Sequence, residues 1–156
     1  MYSKLSVNPW WAVLTVWGLV NAVNILQTAG FISRVITGNR DINRLLGFGI
    51  IALGLPAILV IIVFVREKAG WQHWIGPVVF LIFLVVMICV EHIWSIEFRS
   101  PMRYEILIPY LVLFYGSILL MGLPMFRINR GLWLITAITS VVHLGAMVLA
   151  QFRGVG

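Results

Sequence analysis

Charge is what this sequence has least of. Only 10% of its 156 residues are charged, and only five of those are acidic. A soluble domain carries roughly a quarter charged residues, so a water-facing globule is excluded. Cys89 is the single cysteine. There is then no intramolecular disulfide and no CxxC metal or redox site, and the thiol reads as part of the packing. Walker, nucleophile-elbow and glycine-rich dinucleotide motifs are all missing. So are HEXXH and ExxH, and a zinc or di-iron centre needs three or more ligands at fixed spacing. No metal is expected, and no cofactor can be named. A haem held by His92 and His143 would need facing ligands, and the two differ in depth by about five residues, or roughly 7 Å. The alternating strands of a membrane barrel are missing too.

The net charge is +6, but its arginines lie singly or in pairs between apolar runs. Loop charge and lipid headgroups account for that placement. A nucleic-acid groove needs a continuous basic stripe with stacking aromatics, and none is present. The opening MYSKLSVNPWW has no apolar core ending in a small-residue cleavage site, so the first span is expected to be retained.

What the chain does have is hydrophobic residues, 62% of the total, in runs long enough to cross a bilayer, which takes about 20 residues. The expectation is an all-α, polytopic transmembrane helical bundle of five spans forming a single integral membrane domain. The spans fall at residues 10–32, 45–65, 75–95, 106–126 and 131–151. Pro9 and Pro77 suit first turns, whereas Pro56 lies inside the second span and should kink it. Thr37, Gly38 and Asn39 read as a turn.

Five spans place the two ends on opposite sides, called A (N-terminal) and B. Loops 66–74 and 127–130 lie on A, and loops 33–44 and 97–105 on B. Indoles favour the membrane–water boundary. Trp10, Trp11, Trp71, Trp74 and Trp133 fall at the A boundary, Trp94 at the B boundary, and Trp17 alone inside a span. Basic residues are nearly balanced between the sides. Three arginines follow the first span and one lysine precedes it, which favours side B in the cytoplasm and the N-terminus outside. The near-balance also admits dual insertion with antiparallel pairing.

The polar residues inside the spans gather in one leaflet. The question is sharpest at CVEHIWSIEFR, residues 89–99, where an unbroken apolar run ends in Glu91 and His92. Asn21, Asn24 and Thr28 share a face of span one at i, i+3, i+7, and Thr136, Ser140 and His143 do the same in span five. At about 1.5 Å of rise per residue, Asn24, Glu91, His92, Tyr110 and His143 all belong to the B half. Unpaired polar groups are costly in hydrocarbon and turn toward one another or toward water. A polar pocket in the B leaflet is therefore expected, lined by Asn21, Asn24, Glu91, His92, Tyr110 and His143. Trp94 and Tyr115 would wall it, and Arg99 would stand at its mouth.

Each residue also has a plainer reading. Glu91 either holds a proton or ligand group or pairs with a loop arginine such as Arg99 or Arg103. The asparagines either line the pocket or bond helix to helix, as Asn, Ser and Thr do in membranes. Met121 and Met125 read as packing.

Three functions follow. The first is binding of a lipophilic small molecule or lipid in the B-leaflet pocket. Turnover there would use Glu91 as acid or base with His92 or His143 as partner, since a carboxyl in an apolar site gains the raised pKa that proton transfer needs. In span number and pocket chemistry alone the chain resembles small sterol isomerase-like and sigma-receptor-like membrane proteins, whose carboxylates work in a similar setting; no motif aligns. The second is a non-catalytic subunit or scaffold whose partner, another membrane protein or a second copy, also lies in the bilayer. The third is a small dual-topology transporter or channel, against which the A leaflet shows no continuous polar path.

Overall fold

The computed structural model describes residues 10–38, 41–96 and 103–154. Every element among them is helical: α1 (Trp10–Thr37), α2 (Asp41–Ala52), α3 (Gly54–Arg66), α4 (Trp71–Met87) continued by a π-helical turn (Ile88–Ile93), α5 (Tyr104–Ile128) and α6 (Arg130–Phe152). Five stretches are long and apolar enough to cross a bilayer: Trp10–Thr37, Leu45–Arg66, Trp71–Ile93, Tyr104–Ile128 and Arg130–Phe152. The five-span helical bundle expected from the sequence is the fold observed, and it fits a multi-pass membrane protein.

The boundaries differ, and each difference has a local cause. α1 runs five residues past the apolar run and carries Arg34 within its last turn. Its side chain is largely buried, with the guanidinium carbon 5.9 Å from the centre of the Phe31 ring. The Thr37 hydroxyl donates to the Ser33 carbonyl at 2.8 Å. Gly38 then takes a positive φ of 65°, and its N–H reaches back to the Arg34 carbonyl at 2.9 Å. That is the left-handed stop for which glycine is suited.

Pro56 breaks span two as its chemistry requires. It offers no N–H to the Ala52 carbonyl, so the helix is interrupted at Leu53, whose own N–H tightens onto Ile50 at 3.1 Å. α4 starts at Trp71, four residues earlier than the apolar run. This carries His73, which the sequence places in a loop, into the bundle at 7% exposure. Its ring lies 5.6 Å from Phe64.

α6 packs on α1, α1 on α2 and α3, α3 on α4, α4 on α5, and α5 returns to α6. The shared core is apolar and aromatic: Val16, Val20, Phe80, Phe83, Met87 and Met121 are nearly inaccessible. α4 and α5 approach most closely at Gly76, where an added Cβ would stand 2.7 Å from the Met121 backbone nitrogen. α5 and α6 are joined on side A by a tight corner. There the Asn129 side chain accepts from Gly131 N at 2.9 Å and Leu132 N at 3.2 Å, capping the first turn of α6. Phe126 and Trp133 meet edge to face just inside that corner.

Candidate cavity in the B leaflet

The space between α5 and α6 at the end opposite their corner is a cavity of about 360 Å³, closed on its third side by α1. It lies toward the B end of the bundle, where polar residues were expected to gather. Helix α5 contributes Leu107, Tyr110, Leu111, Phe114 and Tyr115 to it. Helix α6 contributes His143, Met147, Val148, Gln151 and Phe152, and α1 adds Gln27 and Phe31. Gln151 and Phe152 are exposed and mark the open end. Among the described lining residues none carries a formal charge.

The polar end of the cavity is a hydrogen-bonded pair. Tyr115 Oη lies 3.2 Å from His143 Nε2 and 3.2 Å from Met147 Sδ. His143 is 1% exposed and is caged by rings. Phe31, Phe114 and Tyr115 have centroids 5.8, 5.4 and 5.8 Å from its own. Its Nδ1 is buried without a hydrogen bond. Whether the Tyr115 hydroxyl or Nε2 donates depends on the imidazole tautomer.

The predicted site residues divide into three groups. His143, Tyr110 and Tyr115 come together at the cavity. Asn21 and Asn24 are spent on helix pairing. Asn21 Nδ2 donates to Thr136 Oγ1 at 3.0 Å, Thr139 donates to Asn21 Oδ1 at 2.8 Å, and Asn24 Nδ2 donates to Thr139 at 3.1 Å and Ser140 at 2.9 Å. Trp17 closes the same seam from side A, its indole donating to the Leu132 carbonyl at 2.9 Å. The stripe reads as glue between α1 and α6, which leaves His143 as the deep polar group of α6 that turns to the cavity.

The third group is the pair that opened the question. Glu91 and His92 sit in the π turn, whose wider winding is seen in Trp94 N bonding to the Cys89 carbonyl at 2.8 Å. Glu91 faces α5, where the Tyr110 hydroxyl donates to its Oε1 at 2.8 Å. Tyr110 therefore stands between the carboxylate and the cavity. His92 faces the opposite way and meets the Phe48 ring of α2 edge to face at 5.2 Å. Both its ring nitrogens are buried without a hydrogen bond. Adjacency in sequence does not make these two a working pair. Trp94 is 64% exposed and does not wall the cavity. Arg99 lies outside the described residues.

Phe31, Phe114, Met147, Gln27 and Gln151 escaped sequence reasoning. Phenylalanine and methionine in a span are indistinguishable from packing. The two glutamines did carry a signal, since both lie in the B half of neighbouring helices. Among the described residues no three His, Cys, Asp or Glu side chains come together as a metal set. No family model matches the chain, and comparison with curated proteins and with solved structures finds no match either.

Proposed function

We propose that the protein binds a lipophilic small molecule or a single lipid chain in the B-leaflet cavity between α5 and α6. The observation that carries this reading is the Tyr115–His143 pair buried at the inner end of a largely apolar cavity. Ligand sites are usually concave and apolar with a few convergent polar groups, at about 300–1,000 Å³, and this cavity lies at the small end of that range. A two-tailed phospholipid is too large for it; one chain or one ring system is not. Membrane lipids are the remaining partners. Acid–base turnover receives less support than binding, because Glu91 reaches the cavity only through the Tyr110 hydroxyl and His92 faces elsewhere. With side B in the cytoplasm, the cavity opens in the inner leaflet.

Native mass spectrometry of protein released from mild detergent tests the reading. A stoichiometric lipophilic adduct on the native chain, lost on His143→Ala, is the expected result. A bare chain, or an adduct indifferent to His143 and Tyr115, would leave the polar residues as helix-to-helix glue and favour the scaffold function.

A further inference from the structure

At its inner end the cavity presents a hydrogen-bond acceptor to whatever enters it. Tyrosine has one hydroxyl hydrogen and two lone pairs. In Tyr115 that hydrogen has two protein acceptors within 3.2 Å, His143 Nε2 and Met147 Sδ. If it goes to the imidazole, the phenolic oxygen keeps both lone pairs. If it goes to the sulfur and His143 donates in return, one lone pair remains. Either way the hydrogen has an acceptor within the protein, the thioether being the weaker of the two, and the oxygen keeps a lone pair free to accept. Tyr110, the other phenol on the wall, has its hydrogen committed to Glu91. The remaining polar liners, Gln27 and Gln151, lie toward the open end and can both donate and accept.

From this we infer that the ligand is an uncharged lipophilic alcohol, which enters hydroxyl first and donates to Tyr115 Oη. The inference rests on the cavity being a ligand site. Three features specify the class. The inner oxygen accepts, so a hydroxyl head satisfies it, whereas a ketone, ester or ether head leaves its free lone pair unmet. The described lining carries no charge, and an ionised headgroup buried without a partner is strongly disfavoured. The remaining wall is aromatic and aliphatic (Phe31, Phe114, Leu111, Val148) and suits one isoprenoid or alkyl chain running back toward the open end. Depth agrees. Tyr115 is 11 residues into α5 from its B end at Tyr104, or roughly 16 Å at helical rise, so only a slender molecule brings its head there.

The experiment compares farnesol with farnesyl methyl ether, which share a tail and differ in the donor hydrogen. Binding of each is measured to the full chain in lipid nanodiscs by native mass spectrometry, on the native protein and on Tyr115→Phe. Farnesol is expected to bind the native protein about tenfold or more tighter than the ether, the discrimination a site gains when its buried polar group would otherwise go unpaired. Tyr115→Phe should bring the two ligands to within about twofold by weakening farnesol alone. Equal binding of alcohol and ether to the native protein would overturn the acceptor inference while leaving the cavity a ligand site. Failure of both ligands to bind at a level that His143→Ala reduces would remove the cavity reading itself. A misfolded variant settles nothing against the inference, because the native-protein comparison decides it alone.

Discussion

The Tyr110 hydroxyl donates to Glu91 Oε1 across 2.8 Å, tying the π turn at the end of α4 to the B end of α5. This bond gives a structural answer to why an acid stands where the apolar run stops. The wider winding of the π turn turns Glu91 toward α5. A hydrogen bond to a charged group is worth about 1.5–3 kcal/mol in water-soluble proteins, but double-mutant cycles inside membranes average about 0.6 and reach about 1.7. Glu91 is half-buried near the boundary, so a coupling of about 1 kcal/mol is expected for Glu91→Gln against Tyr110→Phe. Unfolding in mixed detergent and SDS measures it, and a coupling indistinguishable from zero would mean that the contact carries no stability.

The α1–α6 seam should behave as glue and nothing more. Asn24 is inaccessible and donates to both Thr139 and Ser140. Asn24→Ala should cost about 1–2 kcal/mol, with part of that loss shared with Ser140→Ala in a double-mutant cycle. Because Asn24 does not line the cavity, the mass of any adduct should be unchanged in the variant. An adduct whose mass changed would return Asn24 to the ligand site.

The five spans were legible because bilayer thickness imposes a length, and apolar runs of that length are plain in the chain. That His143, Tyr110 and Glu91 stand toward the B end of the bundle was legible too, since helical rise converts position into distance along the bundle. What depth does not give is direction. Asn21 and His143 sit in the same bundle, yet one turns to Thr136 on a neighbouring helix and the other to a cavity. The π turn was hidden because one extra residue of winding leaves no mark on a uniformly apolar run. Helix ends were misplaced where charge remained on the helix, as Arg34 does against Phe31.

Orientation has its own test. Glu67 and Arg153 are both exposed, and lie at opposite ends of the bundle. In a Cys89→Ala background, Glu67→Cys should react with a membrane-impermeant maleimide on intact cells, and Arg153→Cys only after permeabilisation. The reverse pattern would put side B outside. Equal labelling of both from outside would establish dual insertion and bring the antiparallel pair back into consideration.

Gly76 should resist replacement more than the other glycines whose surroundings are described. An added Cβ would lie 2.7 Å from Met121 N, 2.8 Å from the Leu120 carbonyl carbon and 2.8 Å from Met121 Cγ. Two of these three are backbone atoms of α5, which cannot swing aside as a side chain does, so α4 and α5 must separate. Overpacking of this kind costs about 1–3 kcal/mol. Gly116 and Gly145 are the controls, because a Cβ at either meets nothing within 4 Å. Their replacement by alanine should be neutral or raise stability by up to about 1 kcal/mol through helix propensity. The separation forced by Gly76→Ala also moves α5, which carries Phe114 and Tyr115 into the cavity, so this variant should weaken any adduct as well as the fold. SDS unfolding of the three alanine variants side by side decides the matter. Equal stability of Gly76→Ala and Gly116→Ala would show that the close α4–α5 approach is not what holds these helices together.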